Sequence, residues 1–128
     1  MSDRFKVLMI DDEADIVSFF SMAFSHFPQV EFFSANRARP GIEAARTQKP
    51  RVVLLDLKMP GMNGEEALVA LKKDLPDTKF VVMTGWQDGQ TKQRIENEIG
   101  VAAYYSKPID FEKVIAKVMS LLMVKGEG

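Results

Sequence analysis

The 128-residue chain contains no cysteine, which excludes disulfide staples, thiol catalysis and thiolate metal sites together. It lacks any excess of charge of one sign: the net charge is −1, without a basic block, so nothing points to nucleic acid or an anionic membrane as a direct partner. No apolar run approaches the ~18 residues of a membrane span. The apolar stretch ahead of Asp11-Asp12 is also shorter than the ~7–15 residues of a secretory leader's core. A soluble, cytoplasmic protein is the expectation. Histidine is scarce too. His26 is the only one, at the end of a helical segment, and reads as a surface group favoured by the helix dipole. What is there is ordinary for a globular protein: 46% hydrophobic and 27% charged residues, enough for one domain with a real core.

The pattern along the chain alternates strand and helix. Phe5 to Ile10 is an apolar strand ending on Asp11, Asp12 and Glu13. Ile16, Phe19, Phe20, Ala23, Phe24 and Phe27 then recur at helical spacing as a buried aromatic stripe, which Pro28 stops. Val30 to Ser34 is a weaker strand, placed near the sheet edge. A second helix begins near Pro40 and runs towards Lys49. Val52 to Leu55, four branched apolar residues, predict a strand buried on both faces, and it ends on Asp56. Pro60, Gly61, Asn63 and Gly64 form a loop, and Glu65 to Leu75 a third helix. Lys79 to Thr84 is a fourth strand. Thr91 to Ile99 is a helix with a thin apolar stripe, Ile95 and Ile99, ended by Gly100 and expected to be the least firmly docked. Ala102 to Ser106 is a short fifth strand, and Asp110 caps a last helix that turns Phe111, Val114, Ile115, Val118, Leu121 and Leu122 inward. Residues 1–125 are expected to form the domain, with 126–128 a tail or the start of a linker.

Alternation of this kind implies an α/β fold, a parallel sheet with helices on both faces. All strand ends of one kind then share one rim, where ligands bind in open α/β folds. That rim carries Asp11 and Asp12, Asp56, Thr84 and Lys107. Each has a plainer explanation on its own: a helix cap for Asp11-Asp12, a turn for Asp56, a β-branched strand end for Thr84, a solvated charge for Lys107. Four strand ends carrying the complete set are much harder to assign to chance. Gathered carboxylates repel and either protonate or bind a cation. Carboxylate oxygens with positions left for water and phosphate suit magnesium. Asp56 is then a nucleophile for a phosphoryl group, with Lys107 and the Thr84 hydroxyl on its oxygens. A carboxylate needs no general base.

With Asp11-Asp12, Asp56-x-x-Met59-Pro60-x-x-x-Gly64, Thr84-Gly85 and Lys107-Pro108 after successive strands, the chain resembles the receiver domain of two-component response regulators over nearly its whole length. The resemblance implies a flavodoxin-like five-stranded sheet of order 2-1-3-4-5 flanked by five helices. It implies that Asp56 accepts phosphate from a sensor histidine kinase or phosphotransfer protein. Mg²⁺ would be bound by Asp12, Asp56 and the Lys58 backbone carbonyl, with Asp11 assisting. The Lys107-Pro108 peptide would be cis, and Thr84 and Tyr104 the switch pair that reshapes the helix 4–strand 5–helix 5 face for a downstream effector protein or attached domain. A phosphorylation-dependent homodimer is a further option. Three features depart from the common pattern. Gly85 should loosen its loop, Trp86 should overhang the site and with Lys58 either slow dephosphorylation or dock a partner, and Tyr105 competes with Tyr104 as the switching ring. A metal-dependent phosphatase would want an acid two residues after its nucleophile, where this chain has Lys58. The nearer rival is a receiver-like interaction module working without phosphorylation.

Overall fold

The computed structural model describes residues 4–85 and 89–123. Five parallel strands form one sheet in the order β2-β1-β3-β4-β5. They are β1 (Phe5–Ile10), β2 (Val30–Ala35), β3 (Val52–Asp56), β4 (Lys79–Thr84) and β5 (Ala103–Ser106). Between and after them run α1 (Ala14–Phe24), α2 (Ala38–Gln48), α3 (Gly64–Asp74), α4 (Gly89–Arg94) and α5 (Phe111–Met123). This is the doubly wound architecture expected from the alternation, with β2 at one edge. The expected tail, residues 126–128, and Trp86 lie outside the described residues.

Two apolar layers sandwich the sheet. Side chains alternate across a strand, so each strand serves both. Leu8, Ile10, Val53, Leu55, Phe80 and Val82 face α2, α3 and α4, and Val7, Met9, Val52, Leu54, Val81 and Met83 face α1 and α5. Every residue of β3 is buried, which is why its sequence carries no polar alternation. Its last residue, Asp56, is the one charged group the strand delivers to the rim.

Several element boundaries differ from the pattern reading. α1 ends at Phe24, four residues before Pro28, and the Ser25 hydroxyl and the Ser25 and His26 amides bond back to its last turn. Phe20 and Phe24 are buried, but Phe19 is 47% exposed. A stripe that wide cannot all face one sheet, and Phe19 instead lies against Phe111 of α5, ring centroids 4.1 Å apart. His26 is exposed, as expected. Helix α2 starts two residues before Pro40, which sits within the first turn, and closes on Lys49 in the left-handed conformation. Helix α4 starts at Gly89 and continues into a π-helical turn, Ile95–Ile99, whose only buried residue is Ile95. Gly100, at φ +86°, ends it, with its amide bonded to the Ile95 carbonyl at 2.7 Å.

The thin stripe of α4 is supplemented by polar ties to α3. Arg94 forms a two-pronged ion pair with Glu65 at 2.6 and 2.8 Å. The Lys72 ammonium donates to the Ile99 and Gly100 carbonyls at 2.9 and 2.5 Å, where a helix end leaves acceptors to satisfy.

Candidate functional site

Strand register brings the acids together. Ile10 of β1 pairs with Leu55 of β3, so Asp11 and Asp56 occupy the next matched position on neighbouring strands, about 4.8 Å apart in the sheet. Two identical turns then fix the carboxylates. The Glu13 amide donates to Asp11 Oδ1 at 2.9 Å, and the Lys58 amide donates to Asp56 Oδ1 at 3.0 Å. Each acid thus accepts from the backbone two residues on, as Asp does at strand-to-loop turns. Each keeps its Oδ2 for the rim.

Lys107 fills the space between them. Its Nζ donates to Asp11 Oδ2 and to Asp56 Oδ2, both at 3.0 Å, and to Glu13 Oε1. The Lys107 amide bonds to the Thr84 carbonyl at 2.9 Å, anchoring the loop where β5 ends beside β4. The Lys107-Pro108 peptide that follows is cis. Asp11 is fully buried and Asp56 is 3% exposed, while Asp12 faces solvent.

The charges do not balance. Asp11, Glu13 and Asp56 share the Lys107 ammonium, and Asp12 adds a fourth acid beside them. Burial drives the Asp11 carboxyl above its usual 3.8, against the pull of the Glu13 amide and of Lys107. Burial also works against the Lys107 ammonium, but its hydrogen bonds to Glu13, Asp56 and Asp11 outweigh that and hold it above its usual 10.5. Oxygens from Asp11, Asp12 and Asp56 all lie within 4.8 Å of one another, an all-oxygen donor set that fits a small divalent cation.

Thr84 is fully buried at the end of β4, and Tyr104 is half-buried on the same side of the sheet, since Thr84 pairs with Ser106 and Val82 with Tyr104. Tyr104 packs with the α2–α3–α4 layer and lies 5.8 Å below the Lys92 ammonium. Tyr105 packs with the opposite layer, so the two neighbouring rings are separated by the sheet. Gly85 is exposed, and a Cβ there would meet nothing within 4 Å. Gly64 is different: a Cβ would stand 2.3 Å from the Leu57 carbonyl oxygen, so the loop from Asp56 to α3 closes only over a glycine. Asn63 caps α3 by accepting from the Glu66 amide at 3.1 Å.

Two contacts were not foreseen from sequence, the Glu13–Lys107 bond and the Arg94–Glu65 pair. Glu13 stands two residues after Asp11 as Lys58 stands after Asp56, and that matched spacing was the available signal.

The response regulator receiver domain family model matches residues 7–119. The chain is 30% identical over 119 residues to Protein PilH of Pseudomonas aeruginosa, covering 91% of this chain and 97% of the relative. It is 28% identical over 120 residues to sporulation initiation phosphotransferase F of Bacillus subtilis, covering 94% and 95%. Against the probable transcriptional regulatory protein TcrX of Mycobacterium tuberculosis, at 31% identity, it covers half of the longer protein. Among solved structures, the signal receiver domain of a DNA-binding response regulator from Colwellia psychrerythraea shares the fold, with TM-score 0.85, 24% identity and coverage of 94% and 99%.

Proposed function

The chain belongs to the response regulator receiver domain family, and from that premise we propose that Asp56 is its phosphoacceptor. The observation that carries the reading is the Lys107 ammonium held 3.0 Å from both Asp11 and Asp56 at one buried rim. A phosphohistidine on a sensor kinase or phosphotransfer protein is the donor class. An Asp56 carboxylate oxygen attacks phosphorus, the N–P bond breaks, and the histidine leaves with the bonding pair. Lys107 and the Thr84 hydroxyl stabilise the equatorial oxygens as charge moves onto them.

Asp11, Asp12, Asp56 and the Lys58 carbonyl would hold Mg²⁺, which supplies the positive charge that lets a phosphoryl group approach four carboxylates. On phosphorylation Thr84 turns towards the new group, Tyr104 turns inward, and the face of α4, β5 and α5 changes shape for its partner, an effector protein or an attached domain. The shift is a change in the balance of two packings. The chain catalyses only its own phosphorylation and dephosphorylation. Among the described residues no helix is long and apolar enough to cross a membrane, and a cytoplasmic location fits a partner of kinases. The rival, a partner-binding module without phosphorylation, gains no support from a rim that keeps every acid and the lysine.

Incubation with Mg²⁺ and acetyl phosphate should add one acid-labile phosphoryl group, read by intact mass. Asp56→Asn should abolish it. Labelling that survives that change rules out the assignment.

A further inference from the structure

Resting on the assignment of Asp56 above, we propose that Glu13 is a positioning residue that occupies one donor of Lys107 as a placeholder for the phosphoryl oxygen and is displaced when the phosphoryl group arrives. An ammonium has three N–H donors. Lys107 has three acidic partners, Asp11, Asp56 and Glu13, so its donors are fully engaged. Esterification of Asp56 spends its bond to Lys107 and frees one donor for the phosphoryl oxygens; a second contact to them requires release of Asp11 or Glu13.

These two are unequal. The Asp11 side chain is 0% exposed, and uncoupling it leaves a buried carboxylate without its counter-ion. The Glu13 side chain is 53% exposed, so water replaces the lost bond at little cost. Asp11 and Asp56 are also pinned through Oδ1 by backbone amides. Glu13 stands at the N-cap of α1, yet its side chain makes no capping bond to that helix. It reaches instead to a lysine 94 residues away. A cap position that forgoes capping to hold Lys107 is placed to exchange with an incoming anion.

Affinity for beryllofluoride in Mg²⁺, measured calorimetrically, tests this. Glu13→Gln should lower Kd about two- to fivefold, the worth of one half-exposed ion pair. Glu13→Asp keeps the charge but shortens the reach, and should share most of that gain. Asp15→Asn, an exposed acid on the same helix, should change Kd little. In a Lys107→Ala background the Glu13→Gln gain should vanish, because the two effects act through one contact. An unchanged Kd in Glu13→Gln, or a gain that persists without Lys107 or is matched by Asp15→Asn, overturns the inference and leaves Asp56 as phosphoacceptor. Failure of the unaltered chain to bind beryllofluoride overturns both.

Discussion

Lys107 decides the balance at the rim, because its ammonium pairs with Asp11, Glu13 and Asp56 together. Replacing it with alanine leaves Asp11 and Asp56 buried and facing each other, a loss of about 3 kcal/mol by the behaviour of broken buried pairs. Urea melts in EDTA should show that loss, and Mg²⁺ should restore a good part of it. The folded-state ammonium is held above 10.5, so its contribution is fully present below that pH and disappears only as pH rises through its higher folded value. The stability gap between the unaltered chain and Lys107→Ala should therefore be constant across the neutral and mildly alkaline range. Asp11 follows the same sign at a much lower pH. Its carboxyl is raised above 3.8 by burial, so it favours the folded state below that pH and withdraws the favour as it ionises. Ionised Asp11 is a cost at neutral pH that a cation relieves, and thermal melts should show Mg²⁺ stabilising the fold more at pH 7 than near pH 4. Asp12→Asn, at an exposed position of the same cluster, should raise the apo melting temperature by relieving repulsion and remove most of the Mg²⁺ response. The acids and the lysine were legible in sequence because each ends a strand. Glu13 has only its spacing after Asp11 as a local sign, and its reach to a lysine 94 residues away is set by the closed fold.

At the scale of elements, the loop from Asp56 to α3 depends on Gly64. Gly64→Ala puts a carbon against the Leu57 carbonyl, backbone that cannot swing aside, and should cost about 1–3 kcal/mol with a fall in phosphorylation rate. A preserved melting temperature and labelling rate would contradict this close approach. Helix α4 is the other dependent element. One buried isoleucine docks it, and the Arg94–Glu65 and Lys72 ties supply what the apolar stripe lacks. Arg94→Ala should accelerate hydrogen exchange across residues 89–99 while leaving global unfolding nearly unchanged. The strands were legible almost to the residue because they are short apolar runs bounded by polar residues, and helices α3 and α5 because their apolar positions recur at helical spacing. The end of α1 was not: Pro28 is a visible stop, but the helix closes at Phe24, with the Ser25 hydroxyl bonded back to the Met22 carbonyl. Nor was the exposure of Phe19, because an aromatic at helical spacing says it will pack, and only the neighbouring Phe111 decides against what.

For the molecule as a whole, sheet order carries the chemistry. With β1 and β3 adjacent, the acids of two strands meet, and β4 and β5 add Thr84 and Lys107 on one side. The strand order was expected from a family resemblance, since alternation alone allows other orders of a parallel sheet. The chain covers 97% of the PilH relative and half of TcrX. Reduction of the phosphorylated chain with borohydride converts an aspartyl phosphate to homoserine, which peptide sequencing by mass spectrometry locates. Homoserine at position 56 and nowhere else is the predicted result; homoserine at Asp11 or Asp12, or none after stoichiometric labelling, would contradict the account.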